Sequence, residues 1–161
     1  MQSETLIRDA AVEDAAAIRD LVAALARETI GADQQVMSVE AARRWGFGAD
    51  RAFECIVAAR GDDIVATVLY YDEFSSWRGK KGVYILDIFI APPARGQGLG
   101  RRLIAEIARR AEARGAFYVR LAVDQANIHA VNFYEAIGFI EGAQDRVFVL
   151  SGEALGSIGK A

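Results

Sequence analysis

This sequence predicts an α+β domain in which a mixed sheet carries helices on both faces, and three observations lead there. Extended and helical periodicities follow one another as strand, two helices, three strands, helix, strand, helix, strand. The 161 residues suit a single domain spanning the whole chain, 1–161, and 53% hydrophobic content supports a real core. A glycine-rich junction, Arg95-Gly96-Gln97-Gly98-Leu99-Gly100, separates the apolar extended run Val83 to Ile90 from the helical run Arg101 to Arg114.

Taken in order, Thr5 to Arg8 is short and extended. Ala15, Ile18, Leu21, Val22 and Leu25 then fall at helical spacing behind Glu13 and Asp14, acids that suit a first turn. Ser38 is placed to cap a second helix, Val39 to Trp45, which the glycines of Gly46-Phe47-Gly48 end. Phe53 to Arg60, a turn at Gly61-Asp62-Asp63 and Ile64 to Tyr71 read as a β-hairpin. Asp72 to Gly82 reads as a polar loop, and Val83 to Ile90 as a third sheet strand stopped by Pro92-Pro93. In the next helix Leu99, Leu103, Ile107 and Ala111, with Ile104 and Ala108, form an apolar stripe opposite Arg102, Glu106, Arg109 and Arg110. Gly115 ends it. Ala116 to Val123 is a further strand, Ala130 to Ile137 a short helix stopped by Gly138, and Val147 to Leu150 a last strand.

Composition excludes several classes of partner. A net charge of -3 with a pI near 5.3 gives no overall cationic field, so nucleic acid is not an expected partner. The single cysteine, Cys55, lies in an apolar run, so no intramolecular disulfide forms and an inert buried thiol in a reducing compartment is expected. No apolar run approaches membrane-spanning length, and the first residues lack a basic stretch followed by an apolar core, so the reading is a cytoplasmic protein without a membrane partner. His129, the only histidine, has no second His, Cys or carboxylate at ligand spacing, and no metal is expected.

The glycine junction carries the chemistry. Gly98 and Gly100 lack a Cβ, so the backbone can turn tightly and gather N–H groups at the positive end of the following helix, where a pyrophosphate is stabilised. Arg95 adds a cation. A dinucleotide fingerprint is excluded because Arg101 stands where its third glycine belongs, and a nucleoside-triphosphate loop because Gly100 is followed by Arg101-Arg102. The spacing Arg-x-x-Gly-x-Gly between strand and helix resembles the acyl-CoA loop of the GNAT superfamily of acetyl-CoA-dependent N-acyltransferases. Asn127-Ile128-His129-Ala130-Val131-Asn132-Phe133-Tyr134-Glu135-Ala136-Ile137-Gly138-Phe139 resembles that family's second signature, Asn-x-x-Ala-x-x-Phe-Tyr-x-x-x-Gly-Phe.

The resemblance implies a mostly antiparallel sheet with a splayed parallel pair, Val83 to Ile90 and Ala116 to Val123, at the cofactor site. It implies acetyl-CoA as co-substrate, held by Arg95, Gly96, Gln97, Gly98, Leu99, Gly100 and Arg101, by backbone groups of Ile88, Phe89 and Ile90, and by Asn127 and Ala130. Tyr134 becomes the catalytic acid beside the CoA sulfur. A phenol with a reference pKa of about 10 can protonate a thiolate of about 8.5. An alkylammonium, at about 10.4, must first lose its proton, so the site needs an acceptor or a water wire for direct attack in a ternary complex.

Trp77-Arg78-Gly79-Lys80, Tyr84 to Ile90 and Cys55 to Ala58 look like the diamine and polyamine (spermidine/spermine) N-acetyltransferase branch, which implies a small-molecule amine as substrate and a homodimer. That branch has Leu-Glu-Asp where this chain has Ile85-Leu86-Asp87, and an Asp where it has Ser75. Without those two carboxylates a di- or tricationic amine loses Coulombic attraction. Glu28, Trp77 and Asp87 are the expected substrate contacts, with Asp72 and Glu73 as helpers. Strict alternation puts Leu86 and Asp87 on opposite faces, which keeps Asp87 from replacing the missing Glu. A protein N-acetyltransferase, or a CoA-binding module without turnover, would share the same cofactor residues.

Overall fold

The computed structural model describes residues 4–31, 35–142 and 148–158. Among them one sheet has the order β1 (Leu6–Asp9), β2 (Glu54–Arg60), β3 (Asp63–Ser75), β4 (Lys80–Ile90) and β5 (Tyr118–Leu121). β1 to β4 pair antiparallel and β5 joins β4 in parallel, the mixed sheet that the sequence predicts. The helices are α1 (Ala15–Thr29), α2 (Val39–Phe47), α3 (Leu99–Ala113), α4 (Ile128–Ala136) and α5 (Gly152–Ile158). Two compact units divide these elements: Met1–Asn127 holds the sheet and α1 to α3, and Ile128–Ala161 holds α4 and α5.

In the first unit, alternation along β3 sorts the core into two layers. Leu69 shares its face with Cys55 and Val57 of β2, and Ile18 of α1 packs there. The intervening residues face the other way. Arg114, at the end of α3, bonds Glu54 and Asp72 and lies over the Tyr70 ring, so α3 covers the opposite face from α1. The α3 stripe of Leu103, Ile107 and Ala111 is buried as its spacing predicts. Arg8 of β1 donates two bonds, of 2.6 and 3.0 Å, to the Asp14 carboxylate, which also accepts the Ala11 N–H at 2.7 Å. That triple contact fixes the start of α1 against the sheet edge, and the guanidinium holds the Asp14 carboxyl below its ordinary range.

Two expectations fail. Asp72 to Gly82 is not a loop, because Tyr71 to Ser75 pair with Tyr84 to Lys80 and leave only residues 76–79 as the turn, with Gly79 at φ +60°. The segment reads as a loop because this end of the hairpin is solvated and its strand positions are largely polar, while the ladder that holds them is invisible in one strand alone. The strand expected over Val147 to Leu150 is absent where it can be described. Val147 lies outside the described residues, 148–150 are exposed and unpaired, and α5 follows where no helix was expected. A short apolar run supplies strand propensity, but a strand also needs a neighbour to bond.

Gly82 sits opposite Tyr118 across the parallel pair, and a Cβ there would lie 2.2 Å from the Tyr118 ring. The ring and the missing side chain are complementary. Gly82→Val should therefore displace Tyr118 and cost about 1–3 kcal/mol, read as a melting temperature lowered by several degrees. An unchanged melting temperature would show that the ring moves aside freely.

Candidate active site

β4 and β5 part company halfway along. Their parallel register runs Gly82 with Tyr118, Val83 with Val119, Tyr84 with Arg120 and Ile85 with Leu121, and stops there. Beyond Ile85, β4 continues to Ile90 paired with β3 alone. Leu86 to Ile90 therefore offer one backbone edge that β5 does not cover, and this edge holds Ile88, Phe89 and Ile90 of the expected cofactor set.

The glycine turn follows directly. Gly96 and Gly98 have φ +74° and +73°, the left-handed region, and a Cβ at either would meet nothing within 4 Å. The glycines here are a backbone requirement beside open space. Gly100 is different: it lies in the first turn of α3, so Gly96 and Gly98, not Gly98 and Gly100, are the pair that the turn needs. Gly98 is the N-cap, no side chain caps this end, and the first helical bond runs from the Arg102 N–H to the Gly98 carbonyl at 3.2 Å. The leading N–H groups of α3 thus keep the donor character and positive dipole that suit an anion. Arg95 is engaged within the protein. Its Nε donates to the Ile90 carbonyl at 2.8 Å, its Nη2 donates to both Glu28 oxygens at 2.9 Å, and its guanidinium lies 5.1 Å from the Phe89 ring centroid. Arg95 and Glu28 are brought together as partners of each other. Gln97 accepts from Arg60 and donates to the Pro93 carbonyl, while Arg101 is exposed.

A β-bulge reshapes the substrate side. Leu69 pairs with Asp87 but Tyr70 pairs with Ile85, so Leu86 is an extra residue in β4. This corrects the alternation argument: the bulge resets the faces, and Asp87 falls in register with Leu69, on the same face as Tyr71 and Tyr84. Burial alone raises its carboxyl above the ordinary range, with no cation or donor opposing it. On that face Tyr71 and Tyr84 stack at 5.4 Å, and Arg120 lies 4.9 Å from the Tyr84 ring while donating two bonds, of 2.6 and 2.9 Å, to Glu73. Sequence reasoning missed Arg120. Its signal was present, since Tyr118 and Arg120 alternate with the apolar Val119 and Leu121. Trp77, an expected substrate contact, stands at the hairpin turn with 99% of its surface exposed.

Asn127 ends the first unit, its N–H bonded to the Asp124 carbonyl at 2.8 Å. In the second unit Tyr134 of α4 lies edge-on to Phe133 and Phe139 at 5.2 and 5.4 Å, and Gly138, at φ +102°, ends the helix with the Phe139 N–H on the Tyr134 carbonyl. Burial lifts the Tyr134 phenol to about 12. Cys55, buried and 3.0 Å from the Thr67 hydroxyl, is likewise pushed to about 12, and a thiol held protonated is a poor nucleophile. No three His, Cys, Asp or Glu among the described residues group as a metal site, and no helix among them is long and apolar enough to cross a membrane.

Both signatures and the parted strands fall inside one match: the model of the Acetyltransferase (GNAT) family covers residues 18–139. The chain belongs to this family. It is 34% identical to the thialysine N-epsilon-acetyltransferase of Bos taurus over 93% of this chain and 94% of that one. It is 36% identical to the L-ornithine N5-acetyltransferase NATA1 of Arabidopsis thaliana, over 62% of this chain and 44% of that one. The fold matches an integron cassette protein of V. cholerae with a TM-score of 0.81 over 98% of both chains at 19% identity. This GNAT acetyltransferase therefore has the mostly antiparallel sheet and parallel β4–β5 pair of its family.

The Asp87 carboxyl gives a stability prediction. Because its folded pKa lies above the unfolded one, stability is greatest below the ordinary carboxylate range and falls as pH rises through the raised folded value. Asp87→Asn removes that loss, so thermal melts at pH 7 should place the variant at or above wild type. A melting temperature lowered by several degrees would mean that Asp87 holds an ion pair in solution.

Proposed function

We propose that this chain transfers acetyl from acetyl-CoA to the primary amine of a small molecule, diamine- or polyamine-like or amino-acid-like, by direct attack in a ternary complex. The observation that carries this reading is the β4 edge left open beyond Ile85, followed at once by an uncapped helix N-terminus. An extended chain of amides fits the first, through backbone groups of Ile88, Phe89 and Ile90. A pyrophosphate fits the second, through the turn Gly96-Gln97-Gly98 and the N–H groups of Leu99, Gly100 and Arg101. Arg95 acts by fixing the turn to Ile90 and Glu28. Asn127 and Ala130 carry the family's pantetheine contacts.

The acceptor loses its proton to Asp87, whose raised carboxyl is a better base at neutral pH than an ordinary aspartate. This role supersedes the family's missing Glu at Leu86. Tyr134 serves the leaving thiolate. At about 12 the phenol is fully protonated at neutral pH but a weaker acid than free tyrosine, so its first contribution is a hydrogen bond to the thiolate as charge develops. The names of the thialysine and ornithine relatives support a side-chain amine as acceptor. The single buried cysteine supports a cytoplasmic setting, and the branch resemblance supports a homodimer.

Two variants test the assignment. Gly98→Val forces a β-branched residue into a left-handed backbone and crowds the anion cradle, so acetyl-CoA affinity by calorimetry should fall at least tenfold in a folded variant. Unchanged affinity would remove the turn from the cofactor site. Tyr134→Phe keeps the ring packing and deletes the donor, and kcat for CoA thiol release should drop about a hundredfold with acetyl-CoA affinity preserved. Wild-type turnover would leave water as the proton source.

A further inference from the structure

Glu73, Tyr84, Asp87 and Arg120 share one face of the sheet. β3 has no inserted residue between Leu69 and Glu73, so Leu69, Tyr71 and Glu73 line one face, and register places Asp87, Tyr84 and Gly82 beside them on β4. Arg120 joins this row from β5, opposite Tyr84. Its guanidinium uses Nε and Nη2 on Glu73 and rests against the Tyr84 ring, so the side chain is held in place from two sides. Nη1 donates to no described residue, and 58% of the side chain is exposed. An arginine pinned along one edge and open along the other is a built receptor for a carboxylate. Arg95 and Arg114 differ, since each is already engaged by more than one acceptor.

We infer that Arg120 receives the α-carboxylate of the acceptor while Asp87 meets its terminal amine, which makes the substrate an amino acid with a side-chain ammonium rather than a diamine or polyamine. This deepens the proposed acetyl transfer and rests on it. Asp87 and Arg120 lie one strand and about two residue steps apart, which sets their backbone positions at roughly 8 Å. A molecule that bonds both groups needs a carboxylate at one end and an ammonium at the other with a short aliphatic chain between them, which is the make-up of an amino acid with a side-chain amine. Charge selects in the same direction. Glu73 neutralises one edge of Arg120, so a second ammonium arriving there meets a cation whose counter-charge is already engaged, whereas a carboxylate meets two free N–H donors. The Tyr71–Tyr84 pair forms the floor under the aliphatic part of the chain between the two ends.

The test compares three amines on the full chain with acetyl-CoA, following thiol release: lysine, its α-amide lysinamide and its decarboxylated counterpart cadaverine, with the ornithine set run in parallel. Wild-type enzyme should favour the amino acid over its amide by tenfold or more in kcat/KM. Arg120→Gln should erase that preference, raising KM for lysine at least tenfold more than for lysinamide or cadaverine, and Arg120→Lys should restore part of it. A parallel loss for all three amines in Arg120→Gln would show a structural role only and overturn the inference. So would equal use of lysine and lysinamide by wild type, which leaves the acetyltransferase reading standing. Thiol release with none of the amines overturns the inference together with that reading.

Discussion

β4 is bonded along both edges as far as Ile85 and along one edge beyond it. An open strand edge inside a sheet is a liability that folded chains normally cover, because its N–H and C=O groups remain unpaired. Here it lies where β3 still pairs with the strand and where the chain must leave the sheet through Pro92-Pro93. The same departure delivers the glycine turn and α3, so the edge and the helix terminus come from one stretch of about fifteen residues. Everything proposed for the cofactor depends on β5 ending its pairing at Leu121.

The bulge at Leu86 falls at the same level, one residue past the last β4–β5 pair. Its effect is to bring Asp87 onto the face shared with Tyr71, Tyr84 and Arg120. The end of β5 pairing opens the strand, and the bulge beside it turns the carboxylate. A regular strand would have given the edge without the acid on this face.

Charges in the first unit divide by whether an arginine holds them. Asp14, Glu54, Glu73 and Glu28 each accept from an arginine, which fixes the sheet edge, the end of α3, the β5 platform and the glycine turn respectively. Asp87 has no such partner among the described residues, and burial raises its carboxyl. Among the described acids of the sheet Asp63 is exposed without an arginine, whereas Asp87 is partly buried without one, the pattern expected when an acid is reserved for chemistry.

Local sequence was enough for α1 to α4, the glycine turn and the two signatures, because each depends on residues within a few positions of one another: the apolar stripe of α3, the φ-permissive Gly98, the spacing from Asn127 to Gly138. It was not enough wherever a distant partner decided. Asp72 to Gly82 has loop-like composition and becomes ladder only because β3 and β4 meet, whereas Val147 to Leu150 has strand-like composition and no described partner. Gly100 looked equivalent to Gly98 until helix geometry absorbed it. The pairing of Arg95 with Glu28, far away in the chain, was likewise not legible locally. The chain by itself therefore determined the family, most of the elements and the residue types that its chemistry needs. The direction in which Asp87 and Arg120 face was decided by cross-strand register, which no single strand contains.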